Sequence, residues 1–320
     1  MNKAERIKYL NDRLYNQESF HYYGPKSLFK YRPFDEHTFP MLETNTLFLC
    51  PASKLDDETE CDTSIDMSEI YELETNNLKR ICIDKIISFI KPYCTDEVFE
   101  EVRNKIYAVT LRNGITRNHF LLDLAPEIQQ TVPGVDVYPL INWLMDIPRE
   151  LDKPEIKPQL EQLVRIAISA KEDLGICSLS ENTDIQYMWE KYANNYSGYC
   201  IEYDAESYEL NDTIFPVIYD ARRDTNIVMS IVGNFIGQLV TSFSNKQVQA
   251  DASQYIRLFL SKYPEWEYQN EWRILGNAGT TPMAPKIKRI IIGQNASNEN
   301  VNNIIKYCSE NKIPYEIKNK

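Results

Sequence analysis

Residues 175–203 read GICSLSENTDIQYMWEKYANNYSGYCIEY. Two apolar runs with period-two alternation, GICSLS and GYCIEY, bracket TDIQYMWEKYAN, whose apolar residues recur at helical spacing. The reading is strand, short helix, strand, with the second strand launched from Gly198. Side chains two apart share a strand face, so Ser178 and Ser180 look one way and Cys177 and Leu179 the other. Trp189 and Tyr192, three apart, share a face of the short helix, where they read with Met188 as packing residues.

Upstream of this stretch the pattern changes twice. SLFKYRPF (27–34) and TNTLFLCPAS (44–53) are short apolar bursts of strand character around a Pro-interrupted helix, with Asn45 at the turn. From about 70 to 111, and again over 155–171, apolar residues recur with the helical period, including Cys82, Ile83, Ile86 and Ile87, then Val102, Ile106 and Val109. Downstream, IFPVIYD (214–220), NEWRILG (270–276), IKRIIIG (287–293) and PYEIK (314–318) read as strands. Helices are expected over 224–245, 251–262 and 298–310, with Pro264 ending the second. The fold class that follows is α+β: a split, mixed or antiparallel β core over residues 1–65 and 173–320, with a helical insertion over 66–172. Two units also suit 320 residues, a length at which one core usually gives way to two.

Composition narrows the function. With 43% hydrophobic residues the chain can bury a sizeable core, and 35 basic against 47 acidic residues leave a net charge of −12. General coating of DNA or RNA is disfavoured, while a local positive pocket can still hold a nucleotide. The opening MNKAERIKYLNDRLYNQE has no apolar signal core, and no run approaches the roughly 18 apolar residues of a membrane span, so a cytoplasmic protein without a membrane partner is expected. Seven cysteines without a CxxC pair read as free thiols, and three histidines outside any HxH or HExxH pattern give no reason to expect a metal. Neither GxGxxG nor GxxxxGK[ST] is present to cradle phosphates.

Three segments carry candidate chemistry. In YPEWEYQNEWRIL (263–275), strand alternation places Gln269, Glu271 and Arg273 on one face and Asn270, Trp272 and Ile274 on the other. A carboxylate beside an amide can grip a ribose, and only the carboxylate can oppose a developing cation; the structural alternative is a solvated strand with an Arg273 salt bridge. In GICSLS, the hydroxyls of Ser178 and Ser180 can position a ribose or an amide, although serines are common at strand ends. In FKYRPFDEH (29–37), Arg32 and Lys30 share a face, and the Arg32 fork can hold a phosphate bidentately where Lys30 cannot. A structural salt bridge is the competing role for Arg32.

The order KYR, LFLCPASKLDDETEC, GICSLS with MWEKYANNYSG, then WEYQNEWRIL and IKRIIIG resembles the bacterial and phage-associated family called domain of unknown function 2971, from about Phe29 to Ile317. Where that family usually has a phenylalanine, asparagine, aspartate, proline run, this chain has Leu55, Asp56, Asp57 and Glu58. More distantly, the early Arg, the Ser-x-Ser strand and the Gln-x-Glu resemble the Arg-Ser-Glu signature of ADP-ribosyltransferases. That resemblance implies an ADP-ribosyltransferase-like fold and a glycosyltransferase acting on NAD as substrate. Glu271 would stabilise the ribosyl cation, Gln269 would orient the acceptor, and Arg32, Ser178, Ser180 and Tyr192 would border the cofactor. The acceptor could be protein, nucleobase or small molecule, and phage defence is the implied setting. Two other classes stay open. One is a magnesium-dependent phosphodiesterase or nuclease using Asp56, Asp57 and Glu60 with Glu202 or Glu271; the other is a non-catalytic binding or regulatory protein with a degenerate cleft around Trp189, Tyr192, Trp266 and Trp272.

Overall fold

The computed structural model describes residues 1–15, 19–55, 61, 75–113, 120–147, 153–220, 227–240 and 253–318. The chain divides into two units, one of Met1–Asp62, Ala170–Thr225 and Ile256–Lys320, the other of Thr63–Ser169 and Asn226–Tyr255. The acidic residues Asp56, Asp57, Glu58 and Glu60 lie outside the described residues.

The second unit is helical. Helix Thr75–Ile90 buries Ile81, Cys82, Ile83, Ile86, Ile87 and Ile90, and helix Asp96–Asn113 buries Val102, Ile106 and Val109, the stripes that a 3.6-residue period demands. Residues 226–255, expected with the sheet, join this unit instead. The reason is the apolar helix Ile227–Val240, whose Ile231, Val232, Phe235 and Ile236 are buried and which packs on Thr75–Ile90. The Lys85 stem passes over Gly233 and Gly237, where a Cβ would stand 3.7 and 3.6 Å from its methylenes.

The first unit is α+β, built on a mixed, largely antiparallel sheet. Its strands are β1 (Ser27–Arg32), β2 (Cys50–Pro51), β3 (Leu174–Ser180), β4 (Tyr199–Asp204), β5 (Ile214–Pro216), β8 (Glu271–Asn277), β9 (Lys286–Gly293) and β10 (Tyr315–Lys318). They run in the order β10-β9-β4-β1-β3-β8-β5, with β2 paired to β3, and only β10 and β9 are parallel. The expected strand over 214–220 breaks at Pro216, which cannot donate to a ladder. Its second half becomes β6 (Ile218–Tyr219), which pairs in parallel with β7 (Ser261–Lys262).

Both faces of this sheet are covered. One face packs Leu28, Cys177, Leu179, Tyr199, Ile201, Tyr203, Trp272 and Ile274 in a large cluster with Tyr9 and Ile304. The other packs Phe29, Tyr31, Cys200 and Ile291 against Trp189, Ala193 and Tyr196. Trp189 is therefore a packing residue: it is fully buried, stacks on Tyr196 with ring centroids 5.4 Å apart, and donates its indole N–H to the Thr183 carbonyl at 2.8 Å. Asn194, Asn195 and Tyr196 all have positive φ, which brings the chain back tightly enough that a Cβ on Gly198 would lie 2.2 Å from the Arg32 carbonyl oxygen.

Candidate functional site

The sheet opens along one edge of β3. At one end of that edge β1 meets β3 through a single residue pair, Phe29 with Ser180; at the other, β2 pairs through Cys50 with Ile176 and Pro51 with Gly175. Between these contacts β1 and β2 leave a cavity of about 220 Å³. Where the ladder stops, the Lys30 ammonium donates to the Ser178 carbonyl at 2.9 Å, supplying a partner for a backbone acceptor. Aromatic and apolar walls come from Phe29, Tyr31, Met188 and Tyr192, and the polar groups are Lys30, Lys54, Ser178, Lys262, Gln269, Glu271 and Arg273. In a chain of net charge −12, the described residues of this lining include four cations and one carboxylate.

Glu271 organises the floor. Burial alone pushes a carboxyl toward protonation, but the Arg273 guanidinium, the Lys262 ammonium and the Ser178 hydroxyl outweigh it and hold Glu271 well below the usual carboxylate range. One oxygen accepts from Arg273 Nε at 2.8 Å and the other from Lys262 Nζ at 2.9 Å. Lys262 also donates to Gln269 Oε1 at 3.0 Å and lies over the Trp266 ring at 5.3 Å. Arg273, fully buried, donates to the Phe259 carbonyl at 2.5 Å and reaches Cys61 Sγ at 3.9 Å.

The backbone at Glu271 is clamped as firmly as its side chain. Residues Pro264–Gln269 form a 3-10 turn, and Asn270 takes the left-handed conformation at φ 43°, which redirects the chain into β8. Ser180 Oγ donates to the Gln269 carbonyl at 2.7 Å. The Glu271 N–H donates to the Tyr219 hydroxyl at 2.8 Å, and the buried Arg6 donates to the Glu271 carbonyl at 2.8 Å and to Glu181 at 2.7 Å. Burial raises the Tyr219 phenol far above its ordinary range, so it remains neutral.

The structure brings Ser178, Gln269, Glu271 and Tyr192 to the cavity lining, and it leaves Arg32 and Ser180 outside that lining. Paired residues on neighbouring strands share a face. Glu271 pairs with Ser180, and Ser180 with Phe29, so Glu271 stands on the Phe29 face. Arg32 pairs with Tyr199 on the opposite face, where its guanidinium contacts Met41 Sδ at 2.7 Å and Asp35 at 3.3 Å. Arg32 therefore holds its own turn and does not border the cavity. Ser180 is buried with its hydroxyl spent on Gln269, so it positions that turn without facing a ligand. Gln269 does meet Glu271, by a different route from the one expected: it sits on the 3-10 turn, since the strand begins only at Glu271.

Lys262, Lys54, Arg6 and Tyr219 were missed by sequence reading. Lys262 falls at the end of the expected 251–262 helix, but the helix there is Ser253–Leu258 and Lys262 lies on β7. A lysine two residues before Pro264 was the available signal. Lys30, read as the weaker neighbour of Arg32, is the β1 cation at the cavity. Among the described residues no three His, Cys, Asp or Glu side chains converge on a metal site, and no helix is long and apolar enough to cross a membrane. Glu202, a candidate ligand of the metal reading, accepts instead from Ser27 at 2.7 Å and Arg289 at 2.5 Å.

Fold and site together define an α+β protein with a cation-rich, aromatic-walled cavity at a split in its sheet. Residues 188–274 match the family described as "Protein of unknown function (DUF2971)". This span runs from the helix Gln186–Lys191 into β8, so it includes Tyr192, Lys262, Gln269, Glu271 and Arg273 and leaves out Arg32, Ser178 and Ser180. It is narrower than the resemblance read over Phe29 to Ile317. Comparison with curated proteins and with solved structures returned no match.

Proposed function

We propose that the protein binds a nucleotide of the NAD and ADP-ribose class in this cavity. Lys30 and Lys54 face the phosphate, Tyr31 and Tyr192 face a planar ring, and Ser178 and Gln269 face ribose hydroxyls. The observation that carries this reading is the lining: among the described residues, four cations to one carboxylate beside the ring of the half-buried Tyr192, in an otherwise acidic chain. Lys30 takes the place of Arg32 in the phosphate role.

Turnover in this reading is transfer of the ribosyl group. The bond between nicotinamide and ribose C1 breaks with its electron pair leaving on nicotinamide, a bond from C1 to the acceptor forms, and the acceptor loses a proton. Positive charge builds on the ribose in the transition state, and Glu271, a carboxylate of the cavity lining, opposes it more strongly there than in the bound substrate. Calorimetry with NAD, ADP-ribose and AMP tests binding: affinity that falls in Lys30→Met supports the site, and no binding to folded protein at millimolar ligand overturns it. Nicotinamide release, measured with and without host-cell extract as acceptor source, tests turnover. Glu271→Gln should reduce release by at least about 100-fold. Because that change also strips the counter-charge from Lys262 and Arg273, Ser178→Ala is assayed beside it and should slow release with those charges intact.

One observation favours a second reading, binding without turnover. Both Glu271 oxygens are already ion-paired, at 2.8 and 2.9 Å, which offsets the charge a ribosyl cation would need. Nucleotide binding with no nicotinamide release under any acceptor condition would select this reading.

A further inference from the structure

Next to the cavity lies an open groove of about 440 Å³ lined by Tyr187, Glu265, Trp266 and Tyr268. Tyr187 and Tyr268 are large aromatic residues exposed at 43% and 37%. Their rings meet edge to face, with centroids 5.2 Å apart and planes at 78°, which forms a partly exposed aromatic corner. Groove and cavity residues adjoin on two elements, since Tyr187 precedes the cavity residue Met188 and Tyr268 precedes the cavity residue Gln269, and the cavity's Lys262 lies over the groove's Trp266 ring at 5.3 Å. One cation spans the boundary. The Lys191 ammonium lies 5.1 Å from the Tyr192 ring of the cavity and 5.4 Å from the Trp266 ring of the groove.

Size connects the two. Pockets that enclose a whole small ligand usually run from roughly 300 Å³ upward, and this cavity offers about 220 Å³. It is short for a dinucleotide and better matched to one half of it. Resting on the nucleotide reading above, we propose that the ligand is a dinucleotide, with one half in the cavity and its second heterocycle stacked on Tyr187 and Tyr268 in the groove. The linking diphosphate then passes Lys191, whose charge complements it, and the Glu265 carboxylate accepts from an exocyclic amino group or a ribose hydroxyl of the outer half.

The test is calorimetry of NAD against AMP and nicotinamide mononucleotide, on wild type, Lys30→Met and the double variant Tyr187→Ala/Tyr268→Ala. Both tyrosines are surface residues outside the cavity lining, so their removal leaves the core intact. Wild type should bind NAD at least about 10-fold more tightly than either mononucleotide, the stacking of one base on an aromatic side chain. The double variant should lose that advantage and keep its mononucleotide affinity. Equal affinity of wild type for NAD and mononucleotides, with mononucleotide binding still sensitive to Lys30→Met, overturns the groove and leaves the cavity reading standing. Equal loss for both ligand sizes in the double variant also overturns it. Absence of all nucleotide binding removes both readings together.

Discussion

Lys262 and Glu271 come from strands that do not pair with each other, yet their side chains meet at 2.9 Å beneath the cavity, with Arg273 on the other carboxylate oxygen at 2.8 Å. Glu271 thus bridges two buried cations, and removing it breaks an ion pair to each of them. Glu271→Gln should cost about 3–5 kcal/mol of stability, the usual penalty for breaking a buried pair from one side. Lys262→Met should cost less, because Glu271 keeps Arg273. Urea midpoints at unchanged slope measure both, and a smaller loss for Glu271→Gln than for Lys262→Met would contradict this arrangement.

The same group sets a pH dependence. Its folded-state pKa lies below the ordinary 4.5, so the folded state holds this proton more weakly than the unfolded chain does. The stability it contributes is complete above that ordinary value and is lost as the pH falls below it toward the lower folded value. Glu202, held down by Ser27 and Arg289 against the opposing effect of burial, acts with the same sign. Unfolding free energy should therefore fall steadily below about pH 4.5, and Glu271→Gln should flatten part of that slope. An unchanged acid slope in the variant would assign the loss to other carboxylates.

Arg32 and Lys30 make a paired prediction about binding. Lys30 and Arg32 share a face of β1, but only Lys30 reaches the cavity, at the Ser178 carbonyl, while the Arg32 guanidinium is held by Met41 and Asp35. Arg32→Ala should therefore leave nucleotide affinity within about twofold of wild type, whereas Lys30→Met removes a charge-assisted contact and should weaken it by about 10-fold or more. Isothermal titration of both variants reads this directly, and a larger loss in Arg32→Ala would place the ligand outside this cavity.

Ser180→Ala tests the clamp on the turn before Glu271. Its hydroxyl is the donor to the buried Gln269 carbonyl at 2.7 Å, and an unsatisfied buried acceptor costs about 1–3 kcal/mol. Thermal and urea unfolding should show a loss of that size; a change below about 0.5 kcal/mol would mean that the carbonyl finds another partner.

At Gly198, space is the issue. A methyl group there would meet the Arg32 carbonyl oxygen at 2.2 Å, and that oxygen is backbone in β1 and cannot swing aside. Gly198→Ala should cost about 1–3 kcal/mol, the range for overpacking, with circular dichroism confirming a folded but weakened protein. Wild-type stability in that variant would show that β1 and the Gly198 turn separate more easily than this contact implies.

What the sequence by itself determined is local. Alternation along β3 and β8 placed Ser178 with Ser180 and Glu271 with Arg273, because the pleat forces side chains two apart onto one face. The 3.6-residue stripes of Thr75–Ile90 and Asp96–Asn113 were readable for the same reason, since each periodicity is a property of one backbone conformation. Periodicity did not reveal that Ile227–Val240 joins the helical unit, because an amphipathic or apolar helix records that it has a partner and not which one. Nor could it relate Arg32 to Glu271: that depends on the pairings of Arg32 with Tyr199, Phe29 with Ser180 and Ser180 with Glu271, over separations of more than a hundred residues for the first two. A shift of one residue in any of them would exchange the faces. The meeting of Lys262 with Gln269 and Glu271 likewise required the left-handed Asn270 and the parallel pairing of β7 with β6. The cavity exists because β1 and β2 touch β3 at different points along one edge, and that spacing is settled by the packing of the whole sheet and by no single segment of the chain.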